Sequence, residues 1–400
     1  VLKAANERQR VRLIGSGHSF TELCTTNDVL ISLDHYQGII SADKEQLQAT
    51  VKAGTKLKLL GALLFQEGLA MENLGDIDTQ SIAGTISTGT HGTGTAFGTI
   101  STQVVGLKLI NGKGEIQTCS ASENPELFKS AKVSLGALGI ITEVTLQCVP
   151  AYKLLIQNNK ESLPSVLASI AERNRQNRNF EYYWFPYTET AWTKTTNTAA
   201  EGEPDQDNYW NYLSELWVEN YSFKALCELA RRFPSTNKLV SKIAAQSVPT
   251  NKKLSHSHQV YATLRLVRFT EMEYNIPADA YQEVMQEVIR LVNSGRFPIH
   301  FPIESRWVKG DDIYLSPAYD RDSAYIACHV YHKKDSTSYF KALEEIFYAY
   351  GGRPHWGKMH TLTQKEVLES YPELSTFLRI REQQDPDRLF TNTYLAQLLG

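Results

Sequence analysis

The stretch Thr79 to Gly94, Thr-Gln-Ser-Ile-Ala-Gly-Thr-Ile-Ser-Thr-Gly-Thr-His-Gly-Thr-Gly, limits this chain more than any other. It sets Gly84, Gly89, Gly92 and Gly94 among small hydroxyl side chains and one imidazole, His91. Such a composition lets the main chain approach a bulky ligand and aim N–H groups at it, which suits a phosphate-bearing cofactor. A surface turn cluster accounts for the same residues equally well. The spacing after Gly92, Gly94 and then Gly98, fits neither the dinucleotide fingerprint nor a Walker loop. Two further glycine turns lie in the first 150 residues: Gly15-Ser16-Gly17-His18-Ser19-Phe20, directly after the strand-like Val11 to Ile14, and Ser134 to Ile141. Three backbone-exposing turns so placed point to one extended ligand cradled from several sides.

A chain of 400 residues is too long for one hydrophobic core, so two domains are expected. A net charge of -3 and the absence of a Lys/Arg-rich block argue against nucleic acid, leaving small molecules as partners. Cys24, Cys119, Cys148, Cys227 and Cys328 have no metal-ligand spacing and read as reduced core residues. His256 and His258 could share a zinc on one strand face, but no Cys, Asp or Glu joins them at ligand spacing, so no metal is expected. No apolar run approaches the roughly 20 residues that cross a bilayer. There is no secretory signal, the default location is cytoplasmic, and the opening at Val1 without Met suggests a missing start.

Hydrophobic periodicity predicts an α+β first half. The tail of a helix lies over Val1 to Arg10 and a helix over Leu57 to Glu67. Strands are expected at Val11 to Ile14, Val29 to Leu33, Leu47 to Val51, Val104 to Leu109, Glu115 to Thr118 and Ile140 to Cys148, with a hairpin at Asn111-Gly112. Beyond Pro150, helices are expected over 165 to 176, 209 to 232, Ala278 to Ser294 and Ser338 to Tyr350. Strands are expected at Glu181 to Phe185, Val260 to Val267 and Ala324 to Tyr331, and a mobile loop at Thr195 to Asn208. The alternation in Ala324 to Tyr331 puts Tyr325, His329 and Tyr331 on one face, which either packs on a helix or lines a site.

His18 and His91, each in a glycine turn, are either ligand-facing or ordinary hydrogen-bonding histidines. Glu304 and Arg306, two apart, share a face if they lie on a strand; a charged pair there is costly if buried and means little if solvated. Lys358 reads alone as a surface lysine.

Four separated motifs carry a resemblance: Gly15 to Phe20, Ile82 to Gly94, Gly136 to Ile141 and Gly351-Gly352-Arg353-Pro354-His355-Trp356-Gly357-Lys358. In this order they resemble the aldonolactone oxidases of the vanillyl-alcohol-oxidase flavoprotein superfamily, and Phe301 to Trp307 with Asp311 to Pro317 is similar to the L-gulono-1,4-lactone-oxidase-like branch. The resemblance runs from Val11 to the C-terminus. It implies a PCMH-type FAD-binding domain of two α+β subdomains over 1–150, normally preceded by a further strand and helix. A substrate cap domain over 151–375 would follow, built on a large antiparallel sheet flanked by helices, with 376–400 returning to the FAD domain. It further implies FAD held by Gly15, Ser16, Gly17, His18, Ser19, Gly84, Ser87, Thr88, Gly89, His91, Gly92, Gly94, Gly139 and Ile141, with covalent attachment through His18. The catalytic residues it implies are Glu304, Arg306, Lys358 and His329, with Lys358 or a neighbour as base and Tyr331 as a further substrate contact. The implied reaction is hydride transfer from an alcohol of a sugar lactone to flavin N5, with oxygen or another acceptor closing the cycle. An alditol oxidase shares the pattern, and a non-catalytic flavin or sugar-acid binder is the rival from another class.

Overall fold

A computed structural model describes residues 1–199, 222–261 and 267–400. In the first half, five antiparallel strands lie in the order Ile39–Asp43, Gln48–Lys52, Ile140–Gln147, Val104–Ile110, Ile116–Ser120. The last two close through Asn111, whose Oδ1 accepts from the N–H groups of Lys113 and Glu115, so the expected hairpin turn is built by an asparagine side chain. Val11–Ile14 and Val29–Ser32 pair parallel as a separate ribbon.

Helix Leu57–Gln66 buries Leu57, Leu60, Gly61 and Leu64, the i, i+3, i+4, i+7 stripe, against this sheet. Part of the central glycine stretch is helical too. Ser81 accepts from the Gly84 N–H and caps Ile82–Ser87, whose Ile82, Thr85 and Ile86 are buried. The same core takes in Leu374, Phe377, Leu395 and Leu398 from the last helices, so the two ends of the chain share one interior.

The second half is built on eight antiparallel strands in the order Asn251–His256, Lys153–Ser162, Thr190–Thr198, Asn179–Trp184, Ile303–Val308, Ser323–Tyr331, Phe269–Pro277, Arg353–Pro354. Strand alternation gives this sheet two unlike faces. Tyr182, Ile303, Ile326, Cys328, Met272, Tyr274 and Ile276 point to one side, where Val166 and Ile170 of Leu163–Gln176, Val284 and Val288 of Tyr281–Asn293, and Leu343 and Phe347 of Thr337–Ala349 cover them. The opposite face carries the charges.

Two expectations need correction, and a third falls partly outside the described residues. Thr195 to Thr198 is not loop but the end of strand Thr190–Thr198, held by pairing with Lys153–Ser162 along its length and with Asn179–Trp184 as far as Thr196; residues 200–208 lie outside the described set. Of the helix expected over 209 to 232, Phe223–Arg232 is helical and 209–221 lies outside the described residues. Val260 starts no strand: it ends the short helix Ser257–Val260, which carries Val260 and Tyr261 into the first core, and 262–266 is not described. His256 and His258 therefore do not share a strand face; they flank Phe65 with ring centroids 6.3 Å apart.

Candidate active site

Strand Val11–Ile14 delivers Gly15 against the Ser81 cap, where a Cβ would lie 2.4 Å from Ser81 Oγ. On the opposite wall Gly139 has φ +145, and its Cβ would lie 2.3 Å from the Ile110 carbonyl oxygen. Only glycine fits either place. Between them runs a groove lined by Gly15, Ser16, His18, Ser19, Ser81, Gly84, Ser87, Thr88, Gly136, Gly139 and Ile141. Its main chain is open on both sides, the form a long ligand with phosphates needs, so the residues present fit FAD.

Arg12, not singled out in the sequence, underlies this groove. Its guanidinium donates to the carbonyls of Leu23 (2.8 Å), Leu135 (2.9 Å) and Gly136 (3.1 Å) and so pins the third glycine turn to the first strand. Burial pushes its pKa down to about 10. An arginine inside the strand-like run Val11 to Ile14 was the available signal.

The residues expected to hold the cofactor divide into two groups. Those named from the first and third turns, with Gly84, Ser87 and Thr88, line or flank the groove; Gly17, in the first turn, has φ +66. Gly89, His91 and Gly94 instead bind the loop after Ser87 to the second domain, at Pro317, Glu273 and Arg178, while Gly92 packs on Leu74 within the first. The Gly94 N–H donates to the Trp307 carbonyl at 2.7 Å. Thr93 Oγ1 donates to the Phe180 carbonyl at 2.6 Å and accepts from the Trp307 N–H at 3.2 Å. Close packing against the chain at Leu74 and Arg178 leaves no room for a Cβ at Gly92 or Gly94.

His18 stands at the inner end of the groove, Nε2 2.7 Å from Thr79 Oγ1. Burial first, then the charges of Lys358 and Lys56, lower its pKa, which keeps the imidazole neutral near pH 7. Next to it, the Phe20 N–H donates to the Gly357 carbonyl at 2.8 Å and the Lys358 ammonium lies 5.2 Å above the Phe20 ring. The first turn and the 355–358 turn are thus brought together.

Behind them lies the charged face. Arg306 Nε donates to Glu181 Oε2 at 2.8 Å, and Nη2 donates to Asp76 Oδ2 at 2.6 Å and pairs with Glu304. Lys194 Nζ reaches Asp76 at 3.0 Å and Glu181 at 2.9 Å, while the Tyr183 hydroxyl donates to Glu304 Oε1 at 2.6 Å. Burial opposes the Arg306 charge, but Glu304, Glu181 and Asp76 outweigh it and hold the guanidinium well above its usual pKa. The same carboxylates, after burial, push the Tyr183 phenol well up.

Two residues apart on Phe269–Pro277, Glu271 and Glu273 each sit between bases. Glu271 pairs with Lys358 and lies 3.5 Å from His329 Nε2; burial resists its charge, but these two neighbours hold its pKa well down. Glu273 lies 3.3 Å from His91 Nε2, and against burial that imidazole brings it down to about 2. His91 stacks on Tyr325 at 3.6 Å. Burial takes His355 down to about 3, and its Nδ1 accepts from the Gly357 N–H at 3.0 Å, fixing the turn that carries Lys358.

Two clusters have metal-like spacing, Asp76/Glu181/Glu304 and His91/Glu273/His355. The first is filled by Arg306 and Lys194. In the second, the lone pair of His355 Nδ1 is taken by Gly357, so the neutral ring keeps its proton on Nε2 and offers no ligand atom there.

Glu304 and Arg306 in one group, and Lys358 and His329 around Glu271 in another, therefore share one face of the sheet, and Lys358 also lies over Phe20 of the first glycine turn. Tyr331 faces the same way, but its hydroxyl donates to Glu228 at 2.7 Å, at the far end of the strand. The sequence reading missed Asp76, Glu181, Lys194, Glu271 and Glu273. For the last two the signal was present: Phe269, Glu271, Glu273 and Asn275 alternate with Met272, Tyr274 and Ile276.

A glycine-walled groove closed by a charged antiparallel sheet defines a two-domain FAD-binding fold. The cholesterol oxidase from B. sterolicum has the same fold, with a TM-score of 0.83 at 19% identity over 99% of this chain and 91% of that one. A family profile described as FAD binding domain matches residues 1–120, and one described as D-arabinono-1,4-lactone oxidase matches residues 144–398. The L-gulono-1,4-lactone dehydrogenase of Mycobacterium tuberculosis is 40% identical over 100% of this chain and 92% of its own length. The L-gulonolactone oxidase of Mus musculus is 32% identical over 99% and 91%. The chain belongs to the aldonolactone oxidase family, and it is an FAD-dependent oxidoreductase acting on CH–OH groups.

Proposed function

We propose that this enzyme oxidises a hydroxyl-bearing carbon of a sugar lactone of the L-gulono-1,4-lactone type. One observation carries the reading: one sheet face holds both the Glu304–Arg306 pair and the Lys358–Glu271 pair, and the turn that carries Lys358 is bonded to the first glycine turn at Phe20, beside the groove. FAD, when bound, supplies the hydride acceptor. Residues 1–150 and 376–400 would hold it, and 151–375 would hold the lactone. Arg306 is a fixed cation that stabilises negative charge developing nearby, and Glu304 accepts from a substrate hydroxyl. The proton leaving the reacting hydroxyl goes to the linked group Lys358, Glu271 and His329. Gly89 to Gly94 hold the two domains in register, and Arg12 keeps the groove open. His18 is the attachment point for a covalent flavin: neutral, with Nε2 occupied by Thr79, it presents Nδ1 as nucleophile.

Anaerobic mixing tests the reading. L-Gulono-1,4-lactone or a related lactone bleaches the flavin band, and xylitol and sorbitol do so far more slowly. Faster bleaching by the polyols would make the enzyme an alditol oxidase, and no bleaching by any of them would make it a binder. Peroxide yield under air then separates oxygen from another acceptor. Arg306→Ala and Lys358→Met abolish turnover while flavin content is kept; wild-type turnover in both discards the assignments.

A further inference from the structure

The charged sheet face does not stay charged along its length. On one strand the side chains run Asn275, Glu273, Glu271, Phe269, and on another Glu181, Tyr183, Phe185. Polarity falls toward one end, where Phe185, Trp192, Phe269 and Phe301 wall a cavity of about 770 Å³. Helices Phe223–Arg232 and Asn237–Ser247 roof it with Phe223, Leu226 and Ile243. Its inner end reaches Asp76, Tyr183, Lys194 and His329 of the active site. Leu229 and Ile243 line it and are also 40% and 37% exposed, which puts its mouth between the two helices.

This chamber is mismatched to a sugar lactone. Such a ring carries hydroxyls all round and finds partners among the described residues at the charged end and along the edge with Asn158, Asn251 and Lys253, whereas the volume and the aromatic end suit a larger, flat, apolar ligand. We infer that the aromatic end binds the second substrate, a planar electron acceptor of the quinone class, with a carbonyl toward His329 and Lys194. The inference rests on the proposed lactone oxidation and supplies its oxidant. In net terms the substrate CH–OH becomes C=O, and its C–H hydrogen with the bonding pair, together with the hydroxyl proton, converts the two quinone carbonyls into the two hydroxyls of a hydroquinone. No other oxidant is needed. An apolar alcohol reaching the active site through the same chamber is the competing occupant.

The probe is tetramethyl-1,4-benzoquinone, titrated into the oxidised holoenzyme while tryptophan emission is followed. The expected result is saturable quenching, lost in Trp192→Phe. Leu226→Trp, which fills the roof away from the catalytic groups, weakens it at least tenfold; Ile243→Trp at the mouth serves if that variant does not fold. In turnover with lactone, Leu226→Trp raises the quinone KM at least tenfold and leaves the rate with ferricyanide, which needs no apolar chamber, within twofold. Quenching that never saturates overturns the proposal, as does an equal loss with both acceptors or flavin bleaching by a sterol or long-chain alcohol. Saturable quenching without bleaching by any lactone would sink the lactone reading and leave the chamber standing; bleaching by lactone without saturable quenching would do the reverse.

Discussion

Arg306→Ala probes the charged face most directly. Among the described residues Asp76, Glu181 and Glu304 stand around this guanidinium, with Lys194 as a second cation, and the variant removes one positive charge from the group. Removing one partner of a buried ion group costs about 3–5 kcal/mol, because the partners left behind stay desolvated. That loss should depend on pH. With the guanidinium gone, mutual repulsion raises a carboxyl pKa in the folded variant above its unfolded value, so the folded state binds the extra proton. Stability of the variant relative to wild type then rises as pH falls, by up to ~1.4 kcal/mol per pH unit for one proton. Between pH 8 and pH 5.5 the deficit should shrink by up to about 3.5 kcal/mol. Urea unfolding followed by tryptophan fluorescence at both pH values measures it. A deficit below about 1 kcal/mol, or one that does not shrink toward pH 5.5, would mean the three carboxylates are solvated, and the buried-cluster argument would be wrong.

Other consequences can be checked alongside. His300 and His355 are both pushed down to about 3 by burial, so each stays neutral in the folded state while the unfolded chain takes a proton below about pH 6.5. Stability is therefore full above that pH and falls toward pH 3, by about 2 kcal/mol per imidazole at pH 5, and His360, taken down to about 4 by burial, adds a similar share; His355→Gln should remove roughly a third of this imidazole drop in a urea series, and an unchanged drop would refute the assignment. Gly94→Ala forces φ +127 on an alanine and puts its Cβ 2.7 Å from the Arg178 carbonyl, so unfolding by urea should come at least 2 kcal/mol earlier, on the order of one strained residue plus the clash. With His18→Ala, flavin colour should leave the precipitated chain and stay in the acid supernatant; colour that remains with the chain would place the linkage elsewhere. Glu273→Gln should loosen the loop at His91 and raise amide exchange over 88–94 while leaving exchange in Phe269–Pro277 unchanged.

The parts of the fold that could be read were those whose order is local. The stripe at Leu57, Leu60 and Leu64, the alternation in Ser323–Tyr331 and the Asn111 turn each state their structure within a few residues. Thr190–Thr198 could not be read the same way, because what makes it a strand is pairing on both sides with Lys153–Ser162 and Asn179–Trp184, not any apolar pattern of its own. Nor could the helical part of the glycine stretch: Ser81 caps Ile82–Ser87 and the core buries its isoleucines, and that burial comes from distant chain.

The site shows the same division more sharply. Motif likeness reaches Glu304, Arg306 and Lys358 one at a time, but Arg306 and Lys358 are held by carboxylates that belong to no motif, and Glu304 by Arg306 and the Tyr183 hydroxyl. Glu181 comes from a different strand, Asp76 from the loop before the glycine stretch, and Glu271 and Glu273 from a strand 30 residues upstream of Glu304. Electrostatics explains why these partners must exist. Among the described residues the face carries the carboxylates Asp76, Glu181, Glu271, Glu273 and Glu304 and the fixed cations Lys194, Arg306 and Lys358, and burial forbids any of them to stand alone. His91 and His329 each lie within 3.5 Å of a glutamate. His91 belongs to the glycine loop and Glu273 to the large sheet, so this contact of the charged face is made across the junction of the two halves. A change in how the halves dock would move His91 off Glu273 and Tyr325, which gives the loop at 89 to 94 a hold on the charged face without lining the groove.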